Sequence, residues 1–410
     1  MTTAITRGLR RRWLAVACLL VAACAGAKGT LDLEEPDREP VSAGAVRPDE
    51  NPFVHARGRD LVDDQGRRVL LRGVAFTNDI WRAAVAPESL HAEADYRRLR
   101  EAGINSVRFY LHHRWFEGSG GTWDERGFAW LSRNVARARA NGIGLILNVH
   151  VPPGGFQSLG GGLALWKEER HQRRFVALWR ELARRLADEP AVFGYDLLNE
   201  PVVTASIDQW ERLARRTVAA IREVDRRHLV VIERVNAVYP GGFLRPPRAS
   251  DWMPDRNGAF NFFRIDDGNV MYEFHYYQPF AFTHQGAEWL PMLRLPRTAT
   301  YPGSFADWNG ALTTFDRAYH ERMVARLLEV QAVLEAPLYL GETGVIRAGF
   351  EPGRNGAGWM KDVLGLMLGA GIGVSYHCYE AETDPFGVNG HEAAWSALAE
   401  AYRERREAQR

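Results

Sequence analysis

The feature that most constrains this chain is a recurring alternation: eight short apolar runs, most of them followed by a longer stretch with helical spacing. The runs are Val69–Phe76, Ile104–Tyr110, Ile143–Val149, Val192–Glu200, Leu229–Ile232, Val270–His275, Leu338–Gly341 and Val374–Cys378. Apolar runs of this length, bounded by turn residues, read as buried strands. Helices are expected over His91–Gly103, Gly127–Asn141, Glu168–Ala187, Ile207–Val224, Thr314–Leu334, Gly358–Gly369 and Glu392–Arg403. In the third of these, Phe175, Leu178, Leu182 and Leu186 fall on one stripe, the pattern of a helix that buries one face. Strands that alternate with helices lie parallel. Eight such units over about 350 residues fit a single-domain α/β fold, a (β/α)8 TIM barrel with long loops. An open doubly wound sheet is the alternative, but no glycine-rich phosphate loop follows the first strand. Ahead of the barrel, Leu61–Leu70 reads as a hairpin turning around Asp64–Gly66.

The amino terminus has a different character. Arg7 and Arg10–Arg12 precede an apolar stretch from Trp13 to Ala22. That stretch is shorter than the ~20 residues a membrane-spanning helix needs, and it suits an export signal. Leu20-Val21-Ala22-Ala23-Cys24 resembles a bacterial lipobox, and the arginines before Trp13 weakly resemble a twin-arginine signal. The expectation is a signal peptide over 1–23, a lipid anchor at Cys24 and a tether over 24–50, with the catalytic domain over 51–410. The product is then a membrane-anchored lipoprotein at the cell envelope, or a secreted protein. Cys18 and Cys24 belong to that segment, so Cys378 is left without a disulfide partner and is expected to be a buried, inert thiol. The formal net charge is +1 for the whole chain. Its four amino-terminal arginines removed, the remainder carries 48 basic and 51 acidic residues. No basic stripe indicates nucleic acid, and a monomer is expected.

The chemistry is read from polar residues at the carboxyl ends of strands, the barrel face on which active sites form. Arg108, His150, Asn199-Glu200, His275-Tyr276-Tyr277 and Glu342 end five different strands. Pro201 has no N–H for a sheet, so the chain must leave the barrel at Glu200. Two glutamates on one concave face invite glycoside hydrolysis, in which one carboxyl donates a proton and a second attacks the anomeric carbon or activates water. No metal-ligand spacing such as His-Glu-x-x-His occurs, and neither a metal nor a cofactor is required.

The chain resembles the glycoside hydrolase family 5 cellulases over residues 53–400. The resemblance is carried by Leu70-Leu71-Arg72-Gly73-Val74, Gly103-Ile104-Asn105-Ser106-Val107-Arg108, His150-Val151-Pro152-Pro153-Gly154-Gly155, Leu198-Asn199-Glu200-Pro201, His275-Tyr276-Tyr277 and Gly341-Glu342. It implies a retaining hydrolase of β-linked oligo- or polysaccharides. Glu200 matches the acid/base, Glu342 the nucleophile, and Asn199 the residue that binds the sugar 2-OH. Arg108 matches an arginine that keeps the nucleophile anionic. His150 and His275 match sugar-binding and acid/base-supporting histidines, and Tyr277 a tyrosine on the nucleophile. β-1,4-Glucan is the first substrate class expected, ahead of mannan, β-1,3-glucan and glycolipid headgroups. Glycan binding without cleavage is the rival function. Two departures stand out. Ala75 occupies a neighbourhood where the family has Asn, and the family's tryptophan at the end of strand eight is missing. Tyr376 or His377 fills that slot. Among loop tryptophans, Trp166, Trp289 and Trp308 are candidates for sugar contact, and the loop Phe280–Asn309 is expected to wall the cleft. Trp130, Trp179 and Trp395 read as core.

Overall fold

The computed structural model describes residues 53–407, apart from 89, 159–161, 239–260, 291–294 and 307–310. Eight parallel strands close a barrel: β1 (Arg72–Phe76), β2 (Ser106–His112), β3 (Gly144–Val151), β4 (Val192–Asp196), β5 (Leu229–Glu233), β6 (Val270–His275), β7 (Leu338–Thr343) and β8 (Gly373–Tyr376). Each pairs with the next in chain order, and β8 returns onto β1 with Val374 opposite Arg72. The long helices are α1 (Glu93–Glu101), α2 (Glu125–Ala140), α3 (Glu169–Leu186), α4 (Asp208–Arg222), α5 (Arg317–Leu334), α6 (Gly356–Gly369) and α7 (Glu392–Glu407). The expected (β/α)8 barrel is therefore the fold.

Local chemistry sets the boundaries. The Asp124 side chain accepts the Arg126 N–H at 3.0 Å and starts α2, satisfying a backbone donor that the helix itself cannot. Asp316 does the same for α5 through Tyr319 N–H, at 2.9 Å. That cap places the helix start at Arg317, later than Thr314. Leu312–Phe315 pairs instead with Gly303–Ala306 in a hairpin, where β-branched Thr313 and Thr314 are at ease. The stripe Phe175, Leu178, Leu182 and Leu186 on α3 is buried as its spacing predicts.

Two strand expectations need correction. The run Val69–Phe76 is not one strand. Arg68–Val69 joins a three-stranded antiparallel sheet with His55–Arg57 and Asp60–Val62, and the barrel strand begins at Arg72. The Asn105 side chain clamps the junction, accepting from Arg72 N–H at 2.8 Å and donating to the Leu70 carbonyl at 2.9 Å. Strand β4 ends at Asp196, and Glu200, four residues on, adopts a left-handed backbone with φ of 43° outside the strand.

Along each strand, alternate residues face the barrel axis. The lower interior is apolar: Ile146, Leu229, Val231, Met271 and Tyr339 pack with Leu71 and with Ala56 and Leu61 of the amino-terminal sheet, which plugs that end. Continuing by two residues toward the carboxyl ends, the same faces present Asn148, Glu233 and Glu273, beside Arg108 and Asp196, all buried. The larger apolar layer lies between the strands and the surrounding helices. The site is thus a polar cap on a dry plug.

Among the described residues, no helix is long and apolar enough to cross a membrane. The expected signal peptide (1–23), the tether (24–50) and Cys24 lie outside the described residues. Cys378 is free and buried.

Candidate active site

Arg108 does not end its strand as expected: it is the third residue of β2 (Ser106–His112), and from there it is the hub. It is fully buried, and its guanidinium reaches Asp196 Oδ2 at 2.8 Å, Glu273 Oε1 at 3.0 Å, Glu342 Oε2 at 3.0 Å and Asn199 Oδ1 at 3.0 Å. A planar fork with five donors can hydrogen-bond Asp196, Glu342 and Asn199 at once, while Glu273 lies beside it without a hydrogen bond. Burial would weaken its charge, but Asp196 and Glu273 push its pKa well above the ordinary value.

Glu342 is the penultimate residue of β7, and both its oxygens are held. Tyr277 donates to Oε1 at 2.9 Å, and Tyr110 donates to Oε2 at 2.7 Å beside the arginine. Burial raises its pKa, yet the surrounding positive groups win, and the carboxyl lies below its ordinary value. Glu200 differs. Burial dominates and raises its pKa, with Ser158 and Arg108 opposing only in part. Its Oε1 meets His275 Nδ1 at 3.0 Å. Burial pushes that imidazole down to about 3, so it is neutral in the working range. The two carboxyl groups are therefore shifted in opposite directions, the pattern that separates an acid from an anion.

A Glu200 oxygen, a Glu342 oxygen and a His275 nitrogen all lie within 4.8 Å of one another. Glu233, Glu273 and His275 form a second such group, and His377, Cys378 and Asp384 a third. In the second, burial raises both carboxyl groups well above their usual range, Glu200 adding to the effect at Glu233. Burial disfavours the charged form that a metal ligand needs, and a hydrogen bond accounts for the placement of Glu233. Glu233 Oε2 accepts the Glu200 N–H at 2.6 Å and so fixes the irregular backbone there.

The remaining sequence candidates fall as follows. His150 stacks on Tyr110, with ring centroids 3.9 Å apart, and its Nδ1 meets Asn148 Oδ1 at 3.0 Å. Asn199 receives Arg108 and donates to Ser158 Oγ at 3.2 Å. Trp289 is half-exposed beside Phe386. Trp166 is buried, donates to Gln157 Oε1 at 2.8 Å and meets Trp210 edge-on. Tyr376 is fully buried, and its hydroxyl bonds the Val345 backbone. Of the two strand-eight alternatives, His377 is the one near the carboxylates, with Nδ1 3.2 Å from Tyr110 Oη. Trp308 lies outside the described residues.

Sequence reasoning missed Tyr110, Asp196, Glu233, Glu273 and Trp81. A usable signal existed for four of them. Tyr110 is two residues past Arg108, on the same strand face. Asp196, Glu233 and Glu273 are single charges in otherwise apolar strands, which burial makes costly unless they are paired. Trp81, half-exposed and edge-on to His150 and Phe156, has no such signal.

Residues 62–378 match the family described as Cellulase (glycosyl hydrolase family 5). Endoglucanase C of Acetivibrio thermocellus is 32% identical over 217 residues, covering 52% of this chain and 58% of that protein. Cellodextrinase A of Ruminococcus flavefaciens is 26% identical over 257 residues, covering 62% of this chain and 68% of that one. A mutant form of Thermotoga maritima Cel5A, solved in complex with cellobiose, shares the fold with a TM-score of 0.64. It is 22% identical, and the match covers 81% of this chain and 96% of that one. With most of its length matched by the family and its barrel shared with solved relatives, the chain belongs to glycoside hydrolase family 5, the cellulase family.

Proposed function

We propose that the protein hydrolyses β-glycosidic bonds of a β-glucan with retention of configuration, Glu200 acting as acid/base and Glu342 as nucleophile. The observation that carries this reading is the approach of the two carboxyl groups to within 4.8 Å. Retaining glycosidases hold their carboxyl groups ~5–5.5 Å apart, and inverting ones leave ~6.5–9.5 Å for a water.

The roles follow from the environments. Glu342, anionic and oriented by Arg108, Tyr110 and Tyr277, attacks the anomeric carbon. Its Oε1 has one donor and keeps the freer lone pair. Glu200 stays protonated and gives its proton to the departing oxygen. In the ester so formed, Glu342 has lost its charge, so an ionised Glu200 no longer faces a second carboxylate. Glu200 then takes a proton from the water that attacks the same carbon, and the ester breaks. His275 holds the Glu200 carboxyl in place through both steps, and Asn199 is positioned for the sugar 2-OH.

A 2-deoxy-2-fluoro β-cellobioside tests the assignment: the trapped ester is expected on Glu342 by peptide mass spectrometry. Label on another residue, or none in a protein that hydrolyses the parent glycoside, overturns it. β-1,4-Glucan is the proposed substrate, in keeping with the endoglucanase and cellodextrinase relatives. Product sizing on cellulosic, mannan and β-1,3-glucan substrates tests that choice. Export through residues 1–23 with lipid on Cys24 is proposed on the lipobox-like sequence alone. Loss of palmitate labelling in Cys24→Ser would support it, and labelling that persists would refute it.

A further inference from the structure

Beyond β8, His377 stands in a connected line of polar groups. Its Nε2 lies 3.3 Å from Asp384 Oδ2, and its Nδ1 lies 3.2 Å from Tyr110 Oη. The Tyr110 hydroxyl donates to Glu342 Oε2 at 2.7 Å and also receives Arg108 Nη1–H at 3.2 Å. Asp384 is fixed in turn, its Oδ1 accepting the Phe386 N–H at 2.9 Å. All of these side chains are buried.

Hydrogen-bond polarity along this line decides the charge of the imidazole. Tyr110 has one proton, and a carboxylate can only accept. With that proton committed to Glu342, Oη can only accept from His377, so Nδ1 carries a proton. Asp384 Oδ2, 3.3 Å from Nε2, is a carboxylate neighbour whose charge favours a proton on that nitrogen too. A ring with both nitrogens protonated is an imidazolium. Burial opposes that charge, but Asp384 and Glu342 hold the pKa up to about 9.

We propose that His377 is a positioning residue for the nucleophile: kept cationic by Asp384, it acts through the Tyr110 hydroxyl to hold Glu342 ionised. The inference rests on reading Glu342 as the nucleophile. The anion then answers to two cations, Arg108 and His377. The other titratable groups facing Glu342 do not replace them. Tyr110 and Tyr277 are neutral, Glu200 is an acid that opposes ionisation, and His275 is uncharged. The groups facing His377 are Asp384, Glu380 and Cys378 on its own segment, Tyr110 on β2, His150 on β3, Glu200 beyond β4, Glu342 on β7, and His284 on the segment after β6. Burial holds His150 and His284 well below the range in which they would carry charge.

The test uses the full chain labelled with ¹⁵N-histidine, together with the pH profile of kcat/KM. An opposite charge at this range moves a carboxyl by roughly 1–3 pH units. His377→Gln and Asp384→Asn are each expected to move the acid limb of kcat/KM upward by about one unit, a tenfold loss at pH values below the limb. Asp384 touches neither nucleophile nor sugar, so a merely structural role would lower activity or stability without moving the limb. Linkage requires the reverse effect: in Glu342→Gln, the imidazole titration of His377 shifts down by the same amount. Its NMR titration in the unaltered protein should lie in the alkaline range. An ordinary midpoint near 6.5 overturns the proposal. So do acid limbs in both variants that superimpose on that of the unaltered protein, in an enzyme that the fluoro-glycoside labels at Glu342. Label elsewhere removes the nucleophile assignment and the proposal with it, a separate outcome. The NMR arm decides even if His377→Gln does not fold.

Discussion

Gly341 immediately precedes the proposed nucleophile, and its missing side chain is a structural requirement. A Cβ built there would lie 1.5 Å from Glu273 Oε1, 2.4 Å from Cδ and 2.9 Å from Cγ. The whole Glu273 side chain would have to move, and it has no room: it is fully buried and reaches Arg108 Nε at 3.0 Å. Gly341→Ala is therefore expected to act on two levels. Overpacking a buried site costs about 1–3 kcal/mol. Pulling the buried Glu273 carboxyl away from Arg108 leaves a buried polar group without its neighbour and adds about 1–3 kcal/mol. A total loss of about 3–5 kcal/mol is expected, read by urea unfolding, with a fall in Tm on the order of 10 °C. Arg108 also holds Glu342 and Asn199, so its displacement should lower kcat/KM by about 100-fold. The double variant Gly341→Ala/Glu273→Ala removes the group that clashes. The two changes should then couple by about 1–3 kcal/mol, the double being more stable than the sum of the singles. A Gly341→Ala protein within about 0.5 kcal/mol of the original, or strictly additive costs, would refute the reasoning.

Three further outcomes are expected. Glu200→Gln should abolish the alkaline limb of kcat/KM and cost about 10²–10⁴-fold on poor leaving groups, while a dinitrophenyl glycoside, which needs no proton, keeps its glycosylation rate in stopped-flow assays. Trp81→Ala should raise KM for cello-oligosaccharides by about 3–10-fold with little change in kcat, because a half-exposed indole edge-on to His150 offers apolar contact area rather than chemistry. Asp225→Asn should destabilise the fold, since Asp225 accepts from Tyr195 at 2.6 Å and pairs with buried His228. Burial raises the Asp225 carboxyl, but His228 and Tyr195 bring it down to about 2. Its contribution is therefore fully present above its unfolded value near 4 and is lost as pH falls toward 2. Unfolding by urea should show a cost of about 3–5 kcal/mol at pH 7 that shrinks below pH 4.

The barrel was legible because its signals are local and repeated. Each strand buries both faces and reads as an apolar run, each helix buries one face and reads as a stripe, and their alternation leaves few topologies. Pro201 and the polar residues beyond each run marked where the chain leaves the sheet, which is enough to bring Glu200 and Glu342 to one face. Boundaries were less legible. The run Val69–Phe76 looks continuous, yet Val69 finds its partner in Leu61 and Arg72 in Val374, and only the folded chain divides them. Nor does Thr314 reveal in sequence that it pairs with Ser304 in a hairpin rather than opening a helix.

What the sequence determined by itself is the fold, the family and the pair of carboxyl groups, because residue type and spacing carry those. What only the tertiary structure decided is the state of each group. Glu200 and Glu342 are the same side chain, and nothing local distinguishes a raised acid from a lowered one. The difference comes from Arg108, Tyr110, Tyr277 and His377 around one, and from burial beside neutral His275 around the other. Those neighbours come from strands far apart in the chain, and electrostatic interaction depends on distance in space, not on separation in sequence.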